Sequence, residues 1–250
     1  MENEYPDKLN QNVRSYYELL GLNNIEERII DRENRVRGKQ LIAKLDSLEY
    51  LDEKMDVLDV GCGWGEMLIE LQNWHKSGAV HGIEPDIELF ELSNMVCNNV
   101  KNSGAESIPY SDNSFNMIIV NDVLEHVSDH LKSIESVLRV IKNKGYIYMS
   151  FPNYNYPAEA HYKVKILPFS NVLPKVINSY VIKYFRKRNP LFWEKYVTPI
   201  SSRQFLQYLA AISERMKISY SIHDMSVYPK GIKKPIYGPI NAKYIIQIDK

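Results

Sequence analysis

Val57-Leu58-Asp59-Val60-Gly61-Cys62-Gly63-Trp64-Gly65 is a short apolar run that breaks into glycine at every second position. An apolar stretch of this length is the pattern of a strand buried on both faces. Glycine lets the backbone turn tightly behind such a strand and approach a ligand with no Cβ in the way. Residues 79–83 form a second apolar run, closed by Glu84-Pro85, and between the two Met67, Leu68, Leu71 and Trp74 mark one face of a crossover helix. Strand, glycine loop, helix, strand and acid make one βαβ unit whose carboxylate can accept both hydroxyls of an adenosine ribose. A dinucleotide fingerprint would need glycine at position 66, where the chain has Glu66, and a carboxylate at a helix start opposes a pyrophosphate.

Working outward, the alternation repeats. Residues 116–120 read as a strand, 131–141 as an amphipathic helix, and 146–151 as a strand after the turn Asn143-Lys144-Gly145. Such alternation predicts an α/β fold, a parallel sheet with helices on both faces. Upstream, apolar residues at helical spacing over 12–51 predict two or three leading helices. Downstream, Pro157, Pro168, Pro174, Pro190 and Pro199 interrupt a stretch rich in aromatics and bases, an insertion or lid after the fifth strand. A helix over 202–213 and strands over 217–222 and 243–248 close the chain. The expected organisation is one domain over 1–250: N-terminal helices in 1–52, a ligand-binding core in 53–153, the lid in 154–203, and a last helix with two strands in 204–250.

Composition agrees with one domain: 250 residues, 44% hydrophobic, are enough for one sizeable core. Lys plus Arg and Asp plus Glu each number 31, so bulk charge points to no nucleic-acid wrapper. Cys62 and Cys97 make no disulfide framework and point to a reducing, cytoplasmic compartment. No apolar run reaches the length of a membrane span, and residues 1–10 do not read as a signal peptide.

The motifs resemble those of the class I S-adenosylmethionine-dependent methyltransferases, of the type 11 and 12 kind. The likeness runs from Leu58-Asp59-Val60-Gly61-Cys62-Gly63-Trp64-Gly65 through Gly82-Ile83-Glu84-Pro85-Asp86, Ala105-Glu106-Ser107-Ile108-Pro109-Tyr110 and Ser114-Phe115-Asn116 to Asn121-Asp122-Val123-Leu124-Glu125-His126-Val127. It covers roughly residues 55–153. The resemblance implies a Rossmann-like, mostly parallel seven-stranded sheet and S-adenosyl-L-methionine as cofactor. By the same resemblance Asp59, Gly61, Cys62, Gly63 and Gly65 lie at the methionine end, Glu84 and Pro85 at the ribose, Ala105 and Glu106 beside the adenine, and Asn121 near the donor. Asn116 departs from the family's usual aspartate, at a position that opens a strand.

Methyl transfer from a sulfonium is an in-line displacement, so a base is needed only for a weak nucleophile such as a hydroxyl. His161 and His126, near the carboxyl ends of the fifth and fourth strands, are the catalytic candidates, although a single histidine is commonly a structural one. Asp122, Glu125 and His126, spaced D-x-x-E-H, resemble with His161 the metal set of the small-RNA 3′-end 2′-O-methyltransferases. The same Leu-Glu-His-Val run occurs in metal-free relatives, so a divalent metal stands second to a metal-free site.

The stretch 157–203 holds nine bases against Glu159 and Glu194. That local charge suits an anionic acceptor, or a membrane surface if Val172, Val176, Ile177, Val181 and Phe185 form a helical stripe beside the bases; a solvated face over the core is the plain alternative. His161-Tyr162-Lys163, Leu167-Pro168 and Leu173-Pro174 resemble the lid of methyltransferases of bacterial surface-polysaccharide biosynthesis. The expected function is therefore O-methylation of a hydroxyl on a sugar or glycan precursor, with a small metabolite of the quinol-precursor type second and RNA third. A non-catalytic S-adenosylmethionine-binding protein and a dehydrogenase are the other classes in play.

Overall fold

The computed structural model describes residues 35–75, 78–155, 174–185, 190–226 and 239–250, with Gln11, Arg14, Ser15, Glu18, Ile25 and Glu26, which are helical. The first complete helix is α1 (Val36–Ser47). After it come β1 (Val57–Val60), α2 (Glu66–Trp74), β2 (Val80–Glu84), α3 (Ile87–Val96), β3 (Val100–Asn102), β4 (Phe115–Asn121), α4 (His130–Val140) and β5 (Ile141–Pro152). Helices α5 (Lys175–Phe185), α6 (Leu191–Tyr196) and α7 (Ser202–Met216) precede β6 (Ser219–Asp224) and β7 (Asn241–Asp249). The seven strands form one sheet in the order β3-β2-β1-β4-β5-β7-β6; β7 runs antiparallel to β5 and β6, and the other pairings are parallel.

Successive side chains of a strand point to opposite faces, so a sheet covered on both sides needs apolar residues at every position. The central strands satisfy this. Leu58, Val60, Ile118, Val120, Ile147 and Met149 enter the core under α4 and α7, while Val57, Met117, Ile119 and Tyr148 enter the other, under α1 and α2. Two buried polar residues depart from this pattern, Ser150 near the end of β5 and Asp59, a carboxylate where an apolar residue belongs. The edge strand β6 is almost wholly exposed and polar, which discourages pairing with another chain.

The expected elements lie within a few residues of those observed. The strand expected over 146–151 runs from Ile141 to Pro152, and the expected turn at 143–145 is an irregularity inside it, where the register against β4 shifts and Lys144 takes φ +61°. Helix α7 starts where expected, on a capping box between Ser201 and Gln204, and continues to Met216 before Lys217 turns left-handed. Before β4, two observed elements are not among those expected: α3, and β3, whose three residues are too few to show a period. Within the stretch read as a lid stand α5 and α6. Of the stripe expected beside the bases, Val176 and Ile177 are exposed and Val181 is half-buried, and among the described side chains of α5 the buried ones are Asn178, Ser179 and Ile182; the Phe185 side chain is not among those described. Val172 lies outside the described residues.

Gly65 heads α2 at φ +88°, and a Cβ there would sit 2.6 Å from Val96 Cγ2 and 3.2 Å from Ser93 Cα. Gly65→Ala should therefore lower unfolding stability by about 2–4 kcal/mol, through left-handed strain and overpacking against α3. Denaturant titration checks it; an unchanged midpoint would mean α3 yields freely.

Candidate functional site

The glycine loop crosses the carboxyl end of β2. Gly61 N and Cys62 N both donate to Ile83 O, and Gly65 N donates to Cys62 O, which folds residues 61–65 into a turn with Gly61, Gly63 and Gly65 all at positive φ. The reasons for glycine differ along it. At Gly61 a Cβ would meet Val123 Cγ2 at 2.7 Å, and at Gly65 it would meet α3, so both are closed by the protein itself. At Gly63 a Cβ would have nothing within 4 Å: this is where the loop faces open space. The Cys62 side chain turns the other way, into the α1–α2 core, where burial pushes its thiol up, so only its backbone can meet a ligand.

Glu84 ends β2 beside this opening. Its Oε2 accepts from Gly63 N at 2.9 Å and its Oε1 from Asp86 N at 3.0 Å. Burial raises its pKa, while those two amides oppose the rise. Each oxygen is thus oriented by one amide and keeps further acceptor capacity for a pair of hydroxyls. Pro85 is exposed at the same end, and Asp86 caps α3 by accepting from Glu88 N and Leu89 N.

The turn Ala105–Ser107 comes up alongside: a Cβ on Gly104 would lie 2.8 Å from Glu106 Oε2 and 4.0 Å from Pro85 Cβ. Ala105 is buried. Glu106 Oε1 accepts from Ser128 N and Ser128 Oγ at 2.7 and 2.9 Å. Partial burial raises Glu106, but hydrogen bonds, those from Ser128 among them, leave it below the usual range, so it braces the turn after β4 as an anion.

Asp59 is pushed well above the usual carboxylate range by burial, then by the charges of Glu84 and Glu66. A bound cation would relieve that stress. A carboxyl whose folded pKa is raised stabilises the fold below its unfolded pKa, and the contribution is lost as pH rises through the folded value. Asp59→Asn should therefore gain stability over the wild type, without ligand, as pH rises from about 4. Melting curves across pH check this; curves that stay parallel would contradict it. Glu66 does not face the opening as its place in the sequence suggests: its Oε1 accepts from Gly38 N of α1, so its carboxylate is not aimed at a ligand on the loop.

At the end of β4, Asn121 Oδ1 and Asp122 Oδ1 share the hydroxyl of Ser150, at 2.8 and 3.0 Å, and Asp122 takes φ +56°. The following turn, Leu124–His126, splits its polar residues. Glu125 is buried, with no hydrogen bond to Oε2, and burial followed by the charge of Asp122 pushes its pKa well up. His126 is exposed, and its Nδ1 lies 2.7 Å from Tyr196 O. A carbonyl can only accept, so Nδ1 carries the proton and the ring's lone pair sits on Nε2. Thr198 N donates to Glu125 O at 2.7 Å, a second bond tying the end of α6 to this turn. Neither bond was legible in the sequence, since His126 and Tyr196 are 70 residues apart.

With Glu125 turned inward and His126 outward, these residues do not close on one point. Among the described residues no group of three or more His, Cys, Asp or Glu is placed to hold a metal ion. His161, the fourth member of the expected ligand set and a catalytic candidate, lies outside the described residues. Among the described residues no helix is long and apolar enough to cross a membrane.

A family model described as a methyltransferase domain matches residues 31–207, more than two thirds of the chain. An uncharacterized methyltransferase of Schizosaccharomyces pombe is 27% identical over 113 residues, 40% of this chain and 41% of its own length. The ubiquinone/menaquinone biosynthesis C-methyltransferase of Citrifermentans bemidjiense is 28% identical over 100 residues, 36% of this chain and 43% of its own length. The matches span about two fifths of these curated relatives. An S-adenosylmethionine-dependent methyltransferase from Mesorhizobium loti shares the fold, with a TM-score of 0.57 at 12% identity over 80% of this chain and 94% of that one.

Proposed function

The chain belongs to the methyltransferase-domain family and has its class I fold, and from that premise we propose that it moves the methyl group of S-adenosyl-L-methionine to a hydroxyl oxygen of a sugar or glycan precursor. The observation that carries the hydroxyl is His126, whose tautomer puts a basic nitrogen at the carboxyl edge of β4. When bound, the donor supplies an electrophilic methyl on a sulfonium. The open space at Gly63 would take its methionine end along the loop 61–65, and the buried Asp59 carboxyl, which burial holds toward its neutral form, would supply a counter-charge on losing its proton to meet the sulfonium. Glu84 accepts the ribose hydroxyls, Pro85 borders them, and Ala105 and Glu106 flank the adenine.

Asn121, fixed by Ser150, borders the donor on the acceptor side. His126 Nε2 takes the acceptor's hydroxyl proton as the oxygen–carbon bond forms and the carbon–sulfur bond breaks, and the bond from Nδ1–H to Tyr196 O holds the ring for that transfer. Bases and tyrosines in 154–203 favour an anionic or sugar-like acceptor. The Citrifermentans relative gives a second reading, a quinol-type acceptor methylated at carbon.

Incubation with methyl-labelled donor and separate glycan-precursor, quinol and RNA fractions tests the acceptor. Label in the sugar fraction as a methyl ether is the expected result. Label confined to the quinol or to RNA would overturn the sugar reading.

A further inference from the structure

Helix α5 turns much of its described apolar surface outward. A helix covering a core places its apolar residues inward, yet here Asn178 and Ser179 are buried with Ile182, while Val176, Ile177, Tyr180 and Tyr184 face solvent. Positions 176, 180 and 184 repeat every four residues, so they form one stripe, and the Tyr180 and Tyr184 rings lie 4.4 Å apart along it. Leu191 and Tyr196 on α6, which packs against α5, are exposed too. Six of the eleven exposed large apolar side chains among the described residues thus stand on these two short helices, and the other five are spread over the rest of the fold.

The charges around the stripe are mostly positive. Lys183 Nζ sits 5.5 Å from the ring centre of Tyr184 and Lys195 Nζ 5.0 Å from that of Tyr196. In sequence Arg186, Lys187 and Arg188 follow α5, and Glu194 is the single acid on the two helices. Aliphatic and tyrosine side chains with amines beside their rings make a surface that sinks into the headgroup zone while its amines meet anionic lipid. A second copy of this chain would bring two positive faces together.

We propose that the outer face of α5 and α6 docks on an anionic lipid bilayer. This does not depend on which acceptor is methylated. Because Tyr196 O and Thr198 N bind the turn Leu124–His126, docking sets the acceptor side of the donor site beside the headgroups. An acceptor carried on a lipid would then reach His126 without leaving the membrane.

Co-sedimentation with phosphatidylcholine vesicles, with and without phosphatidylglycerol, tests this. Wild type should sediment with the phosphatidylglycerol vesicles, less so as salt rises, and not with phosphatidylcholine alone. The doubly substituted Tyr180→Ser, Tyr184→Ser protein should bind those vesicles about tenfold less tightly, with melting temperature and S-adenosylhomocysteine affinity unchanged. Tyr180→Trp with Tyr184→Trp should keep binding. Wild type that ignores the anionic vesicles, a serine variant that binds as well as wild type, or a wild-type dimer in light scattering that the serine variant dissolves would each overturn the proposal.

Discussion

His126→Ala should lower turnover by about 10²–10⁴-fold, the usual contribution of a general base, while leaving S-adenosylhomocysteine affinity nearly unchanged. The ring is exposed, so the fold should survive its loss. Alanine also removes the bond to Tyr196 O, and a turn that had merely come loose from α6 would slow the enzyme too. His126→Asn separates the two effects. Its side-chain amide can still donate to Tyr196 O, but it has no basic nitrogen, so it should be as slow as the alanine variant. Steady-state rates with saturating donor check this; an asparagine variant at wild-type speed would reduce His126 to a strut.

Gly63→Val should weaken S-adenosylhomocysteine binding by about 5–150-fold, the scale of a 1–3 kcal/mol clash. The branched side chain would project into the opening that receives the donor, and at φ +55° it would also strain the turn. The strain belongs to the fold and the clash to the site, so the two can be measured apart. Calorimetry reports the affinity and a melting curve reports the strain. Unchanged affinity would mean that the donor does not pass this residue.

The sequence revealed the donor half of the site because it is local. One apolar run, three glycines and one acid lie within a single βαβ unit, and their spacing implies their proximity. Glu84 meets Gly63, as a strand-end acid facing a glycine loop should. What the sequence hid depends on distant partners. The direction of Glu66 is set by Gly38 on α1, the bracing of Glu106 by Ser128 after β4, and the tautomer of His126 by a carbonyl on α6. The orientation of α5 was legible only as one of two alternatives: the spacing of Val176 and Ile177 suits a face turned outward beside the bases as well as one turned to the core, and the burial of Asn178 and Ser179 decides for the outward face.

The central claim, a donor site for S-adenosylmethionine on the loop 61–65 with Glu84 at the ribose, is tested most directly by calorimetric titration of the wild type and of Glu84→Ala with S-adenosylhomocysteine and with NAD. S-Adenosylhomocysteine should bind the wild type and NAD should not, and Glu84→Ala should weaken the former by about 1–3 kcal/mol, the worth of hydrogen bonds to a charged group. NAD binding more tightly than S-adenosylhomocysteine, or an S-adenosylhomocysteine affinity indifferent to Glu84→Ala, would contradict it.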